Sequence, residues 1–341
     1  MSGTSLDGLD IAYCEFRFEN GHWEYSIPYA ETIPYSEDWF IRLNGLPGST
    51  AVDYAYSDHL FGHLLGSSVK EFIKKHNIKA DFIASHGHTV FHQPGKGFTS
   101  QIGNGAAVKA EAGLPVICDF RSGDVAQGGQ GAPLVPAGDR LLFPEYDFCL
   151  NLGGFANISV NLPGKTIAFD ICPANIVLNS LAVKAGLPFD KEGNLAEKGK
   201  VSFNLLEKLS SLPFYSQTGP KSLGKEWVEE NIRPLLENSG LKNEDVLSTF
   251  ITHIAQQIAL HTGADIRKKL LSTGGGTHNK YLVSMIRSHI KPQLVIPDRM
   301  TIDYKEALIF AFLGVLRWRN EINCLKTVTG ALQDGSYGAI Y

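Results

Sequence analysis

At 341 residues with 43% hydrophobic residues, the chain exceeds the length at which a single hydrophobic core usually divides, so two domains are expected. A formal net charge of -4 supplies no basic field to draw it onto nucleic acid or an anionic membrane, which leaves a small molecule as the expected partner. No apolar run reaches the roughly 18 residues that span a bilayer, no secretory signal opens the chain, and Cys14, Cys118, Cys149, Cys172 and Cys324 are scattered without a CxxC pair, so a cytoplasmic protein with reduced thiols is expected.

The first pattern is a Gly-rich turn, Gly3-Thr4-Ser5-Leu6-Asp7-Gly8, leading straight into the strand-like LDIAYCEFRF. DHLFGHLLGSSVKEFIKKH follows with apolar residues at helical spacing, and DFIAS and LPVICDF have the make-up of short buried strands. A second hairpin, DFCLNLGGFANISVNL, turns at Gly153-Gly154, and LPGKTIAFDICPANIVLNSLAVKAG predicts a strand ending at Phe169-Asp170, a Pro-containing turn and a helix. From Asp245 to Leu260, Val246, Leu247, Phe250, Ile251, Ile254 and Ile258 share one face of a predicted amphipathic helix, whose plain role is core packing. KKLLSTGGGTHNKYLVSMI predicts a strand, a triple-glycine turn and a helix. Strands alternating with helices argue an α/β fold, and two glycine hairpins half a chain apart argue two domains on one plan: residues 1–143, with 321–341 packing back on them, and residues 144–320.

Glycine lets backbone N–H groups approach a phosphate, a neighbouring hydroxyl adds a donor and a carboxylate holds a metal ion. Gly3, Thr4, Ser5, Leu6, Asp7 and Gly8 supply all three within one turn, although an ordinary hairpin uses the same residues; pairing with Gly153, Gly154 and Asn157 favours a phosphate clamp. Gly274-Gly275-Gly276 lets an adenosine lie against backbone at a helix N-terminus, or is simply a tight strand-to-helix turn. Asp170, at the end of an apolar strand, has the position of a general base or of a helix N-cap. Asp119, Arg121 and Asp124 border the glycine-rich stretch DFRSGDVAQGGQGAPLVP, a mixture suited to a polyhydroxylated ligand or to an internal salt-bridged turn. His86, His88 and His92 in SHGHTVFHQ permit a zinc reading through the i, i+2 pair, but no further spaced ligands complete a metal pattern, and a satisfied or substrate-facing histidine is the commoner use.

In order along the chain, MSGTSLDGLD, SHGHTVFHQP, QIGN, DFRSGDVAQGGQGAPLVP, NLGGFANIS, FDICPAN, FDKEGNLAEKG, GPKSLGKE, TGGGTHN, DYKEALIFAFLG and TVTGA resemble the anhydro-N-acetylmuramic acid kinase family, of the actin/hexokinase/Hsp70-like ATPase superfamily, from residue 1 to about 340. The resemblance implies a two-domain actin-like, ribonuclease H-like α/β fold with mixed sheets flanked by helices and ATP in the interdomain cleft. It further implies use of ATP and Mg2+ to convert 1,6-anhydro-N-acetylmuramic acid and water into N-acetylmuramic acid 6-phosphate during peptidoglycan recycling, by a homodimer. In that reading Asp170 activates water, residues Gly3 to Gly8 with Gly153, Gly154 and Asn157 hold phosphates, Asp7 holds the metal, and Gly274, Gly275 and Gly276 meet the adenosine. His86, Asp119, Arg121 and Glu306 are the candidates for the sugar.

The chain departs from the family pattern at several places. It has FDICPAN where FDTGPGN is usual, with Asn179 in place of a later Asp; His88 replaces a glutamine and Asn104 an aspartate. It begins directly at the SGTS turn without the apolar strand that leads into it elsewhere, and an upstream start supplying that strand is expected to raise stability. A chaperone-like or actin-like ATPase, or a sugar-binding homologue with an altered substrate, remains the alternative that fold alone does not separate.

Overall fold

Alternating apolar and polar residues from Leu9 onward pair in a long antiparallel hairpin, β1 (Leu9–Glu19) with β2 (His22–Ile33), turned by Asn20 and Gly21, both at positive φ. The computed structural model describes residues 1–3, 6, 8–217 and 221–341. Its chain divides into two compact α/β units, Met1–Leu142 with Tyr304–Tyr341, and Phe143–Asp303.

In the first unit, β3 (Ile83–Ala84) pairs in parallel with β6 (Val116–Cys118), whose other side takes the antiparallel strand Ala339–Ile340, while β4 (His88–Gln93) and β5 (Phe98–Ile102) form a separate hairpin. The predicted helix at DHLFGHLLG lies within Ala51–His76, capped by the Thr50 side chain at its start and by left-handed Asn77 at its end. Gly66 explains why this helix packs so closely on helix Gly105–Ala112: a Cβ there would stand 2.7 Å from the Val108 carbonyl oxygen and 2.6 Å from the Glu111 Cβ. Leu9, Ile11, Phe61, Leu65, Phe72, Val108 and Val116 make the core. β1 and β3 both line a cavity of about 660 Å³, walled also by Leu65 and Phe72 on one helix and Phe310 and Val315 on another. Return of the chain to this unit begins at Tyr304, not at residue 321, because Phe310 and Phe312 on helix Arg299–Trp318 are anchored there: Phe312 packs 5.3 Å from the Phe16 ring and 5.0 Å from Trp23, and Phe310 packs 5.7 Å from Phe120.

The second unit is built on one mixed sheet. β7 (Phe148–Leu152), β8 (Phe155–Leu162) and β9 (Lys165–Pro173) run as an antiparallel meander, and β10 (Lys269–Thr273) and β11 (Gln293–Val295) add in parallel on the far side, giving the order β11-β10-β7-β8-β9. The predicted strand at Phe169-Asp170 continues to Pro173, which pairs with Phe155; on an edge strand proline's missing N–H costs no ladder bond.

Helix Asn243–Thr262 fulfils the predicted apolar face, and it is also buried on faces the sequence pattern left polar. Three of those residues are satisfied locally: Thr249 Oγ1 donates to the Asp245 carbonyl at 2.6 Å and accepts from Ser202 N at 2.9 Å, Thr252 Oγ1 donates to Ser248 O at 2.8 Å, and Ser248 Oγ meets Tyr281 Oη at 3.0 Å, whereas Gln257 Oε1 and His253 Nε2 have no hydrogen-bond partner among the described residues. His253 on this helix is fully buried, with Nδ1 3.2 Å from Ser210 Oγ, and burial lowers its pKa to about 3. Unfolding restores the ordinary value of 6.5, so between about pH 6.5 and 3 the unfolded chain binds a proton that the folded one does not. As pH falls through that window, stability should therefore drop by about 1.4 kcal/mol per pH unit from this residue. Urea denaturation at several pH values checks this, and His253→Leu should flatten the slope.

Candidate active site

In the second unit the glycine turns meet at the C-terminal end of β7. Gly153 N–H donates to Phe155 O at 3.1 Å, closing the β7–β8 turn, and the carbonyls of Gly153 and Gly154 receive the N–H groups of Asn175 and Ile176 at 3.2 and 3.1 Å. The second hairpin is thereby tied to the N-terminus of helix Asn175–Lys184. Gly274, at φ 83°, leaves β10 and leads into the short 3-10 turn Gly275–His278, before helix Lys280–His289 capped by Asn279. At Gly276 a Cβ would stand 2.8 Å from the Leu152 Cβ and 2.9 Å from its carbonyl oxygen, so only glycine lets this turn lie on the end of β7. Asn175, a residue of FDICPAN given no role from sequence, joins the two turns: its Nδ2 donates to Leu152 O at 3.1 Å. Gly154 and Gly275 are exposed, presenting backbone to solvent.

Asp170 stands beside Asn157 across the β8–β9 ladder, where the register shifts and inserts Ile171 as a bulge. The bulge breaks the two-residue alternation, so Ile171 and Cys172 are both buried while Asp170 stays half-buried. The N-cap alternative is excluded, since helix Asn175–Lys184 starts five residues later with Ala174 at its cap. One carboxylate oxygen, Oδ2, accepts the Leu223 N–H at 2.8 Å, and the Asp170 N–H donates to Lys221 O at 2.9 Å. Burial pushes the carboxyl above its ordinary 3.8, and the Leu223 N–H opposes that shift.

In the first unit three of the sugar-side candidates converge. Arg121 donates through Nε (3.2 Å) and Nη2 (2.8 Å) to His86 Nε2 and through Nη1 to the Gly131 carbonyl at 2.6 Å. His86 Nδ1 lies 3.0 Å from Gly87 O and must be the protonated nitrogen, because only an N–H donates to a carbonyl; Nε2 is then the acceptor that Arg121 requires. Burial, with the Arg121 guanidinium beside it, holds the imidazole well below 6.5 and so neutral. Desolvation by its surroundings pushes the Glu306 carboxyl above 4.5, opposed first by Arg121, although the residue as a whole is exposed. Asp119 is exposed at φ 54°, and its Oδ1 accepts the Ser122 N–H at 3.1 Å, an Asx turn that starts the loop carrying Arg121. Asp124 closes that loop from inside, accepting from Gly131 N, Thr329 Oγ1 and Cys324 Sγ at 2.7, 2.7 and 3.1 Å.

His88 and His92 join no such cluster. Their Nδ1 atoms lie 3.0 Å from Ser2 Oγ and from Thr99 Oγ1 respectively. Asn104 caps helix Gly105–Ala112 by accepting the Ala107 N–H at 3.2 Å, as an aspartate would, but its Nδ2 also donates to Asp58 Oδ2 at 3.3 Å, a bond an aspartate at this position would lose. Gly3, Leu6 and Gly8 frame the first turn, with Leu6 N–H donating to Gly3 O at 3.3 Å and Ser2 bridging both Leu9 and His88. Thr4, Ser5 and Asp7 lie outside the described residues. Among the described residues no group of three or more His, Cys, Asp or Glu side chains is placed to hold a metal ion.

The family model for anhydro-N-acetylmuramic acid kinase matches residues 1–341. The anhydro-N-acetylmuramic acid kinase of Pseudomonas syringae pv. tomato is 35% identical over 367 residues, spanning 100% of this chain and 97% of that one. Those of Sulfurovum sp. and Haemophilus influenzae are each 34% identical, again over 100% of this chain and over 97% and 96% of theirs. A match along every residue, at this identity and with both lengths covered, shows that the chain belongs to the anhydro-N-acetylmuramic acid kinase family.

Proposed function

We propose that the chain catalyses ATP-dependent phosphorylation with hydrolysis of 1,6-anhydro-N-acetylmuramic acid, yielding N-acetylmuramic acid 6-phosphate and ADP. Water adds to C1 and gives its proton to Asp170; the C1–O6 bond breaks, and O6 takes the γ-phosphoryl group of ATP. The observation that carries this reading is Asp170 itself, a half-buried carboxylate with one oxygen fixed by a backbone N–H and, among the described residues, no ion-pair partner to quench its basicity. Gly153, Gly154 and Asn157 hold phosphates in this reading together with Gly3 to Gly8, and Gly274 to Gly276 meet the adenosine; the fit of the glycine turns to the end of β7 supports it. Neutral His86 and Arg121, locked to each other, offer the sugar side a fixed cation, with Glu306 and Asp119 nearby in the same unit. Bound Mg2+ neutralises phosphate charge and is held through one or two carboxylates, for which Asp7 is our assignment.

The two units are, in our reading, the two domains of an actin-like, ribonuclease H-like kinase. A homodimer in the cytoplasm completes the proposal; no helix among the described residues is long and apolar enough to cross a membrane. The deciding assay is ADP release from ATP and Mg2+ with and without 1,6-anhydro-N-acetylmuramic acid, followed by mass analysis of the sugar. Stimulated release with a product that has gained both phosphate and water supports the reaction; ATP binding without stimulation overturns the substrate.

A further inference from the structure

Lys221, two residues before the Leu223 amide that bonds Asp170, has its side chain turned away from the carboxylate and fastened elsewhere. Its ammonium donates to the carbonyls of Phe214 (3.1 Å) and Gln217 (3.3 Å) and lies 4.4 Å from the centre of the Phe214 ring. Those carbonyls belong to a rigid support. Phe214 in the turn Pro213–Ser216 is 5% exposed and packs 5.3 Å from the Trp227 ring, while Tyr215 stands edge-on to His253 at 4.8 Å, which fixes the turn against the central helix Asn243–Thr262. From the same lysine the main chain grips Asp170 twice: Lys221 O accepts the Asp170 N–H at 2.9 Å, and Leu223 N–H donates to Oδ2 at 2.8 Å.

We propose that Lys221 is a positioning residue for Asp170: by clamping residues 221–223 to the turn Pro213–Ser216, it holds the Leu223 amide where it fixes the carboxylate rotamer and favours the ionised base. Without the clamp, residues 221–223 keep, among the hydrogen bonds of the described residues, only those to Asp170 on the edge strand β9, and the amide drifts from Oδ2. Loss of a charge-assisted N–H···O bond has two consequences: the carboxylate is freed to turn away from the reacting water, and its pKa rises because burial is then unopposed. Of the other titratable groups, the buried thiol of Cys172 on β9 lies beside Asp170, and His261 on the central helix packs edge-on to the Phe169 ring at 5.0 Å; burial keeps both uncharged at neutral pH, so neither supplies a compensating positive charge.

The inference rests on Asp170 as the base, and the test separates the two. Steady-state kinetics of Lys221→Met should show kcat reduced about tenfold or more with KM for ATP within about threefold, since a small displacement of a reacting group costs that much. The acid limb of its pH–rate profile should move to higher pH, and Lys221→Arg, which keeps donors for both carbonyls, should recover most of the rate. Unchanged kcat and an unmoved acid limb in folded Lys221→Met overturn the inference; if that variant fails to fold, Lys221→Ala, which likewise removes every side-chain donor, carries the same measurement. Asp170→Asn with wild-type turnover removes the base assignment instead. The clamp is then decided by carbon-13 carboxyl NMR titration of Asp170, assigned by difference from Asp170→Asn: a raised pKa in Lys221→Met upholds it, and an unmoved one refutes it.

Discussion

Asp170→Asn is expected to lower sugar-dependent turnover by about 10²–10⁴-fold, the usual contribution of a positioned general base, without loss of the fold. Asparagine keeps the shape and can still accept the Leu223 N–H through its amide oxygen, so the register of β8 and β9 and the bulge at Ile171 are undisturbed. It removes only the charge and the basic lone pair. The variant should also be no less stable, and the sign follows from linkage. Burial raises the folded pKa of Asp170 above 3.8, so the unfolded chain ionises more readily and the charge opposes folding at any pH above that value. Asparagine therefore stabilises near neutrality, and the difference vanishes below pH 3.8. Activity of the wild type should fall as pH drops through the raised folded pKa. Turnover within a few-fold of wild type, in a variant that melts normally, would remove Asp170 from the chemistry.

Lys305→Met carries the largest expected loss of stability, about 3–5 kcal/mol, because it leaves a buried carboxylate without its cation. Lys305 is 5% exposed and Asp139 1%, and they meet at 2.7 Å. The pair joins helix Val135–Leu142 to helix Arg299–Trp318 within the first unit. Urea denaturation should show a lowered midpoint with the slope retained, and Lys305→Met with Asp139→Leu should regain much of the loss, since replacing both charges by apolar groups restores a consistent interior. A single variant as stable as wild type would mean that the pair is hydrated in solution.

Periodicity and composition give the α/β class, the two glycine hairpins and the central helix around Phe250 directly. The repeating spacing of apolar residues is a local property of the chain, and it dictates which face must be buried whatever the tertiary partner. The Gly274-Gly275-Gly276 turn and Asp170 were visible for a similar reason: glycine runs and a carboxylate closing an apolar strand are unusual enough to stand out. What the sequence hides is whatever depends on pairing distant segments. Nothing local tells that Ser248, Thr249, Thr252 and His253 face an interior, because that burial is decided by residues 202, 210 and 281 arriving from elsewhere.

Lys221 illustrates the same limit. GPKSLGKE marks a place of interest in the chain, yet the role follows only once the turn Pro213–Ser216 and strand β9 are both set against the central helix. His86 and Arg121 are 35 residues apart, and their mutual lock, with the neutral tautomer it imposes, exists only because the loop closed inside by Asp124 brings them together. By itself, then, the sequence determined the fold class, the glycine turns, the family and the identity of the candidate base, each written in short-range pattern or in motif. Tertiary structure alone decided that Tyr304 opens the return to the first unit, that Ile171 bulges to hold Asp170 half-buried, and which backbone groups grip its carboxylate. Those outcomes depend on long-range packing of rings and on hydrogen bonds between segments far apart in the chain, for which no local spacing carries a signal.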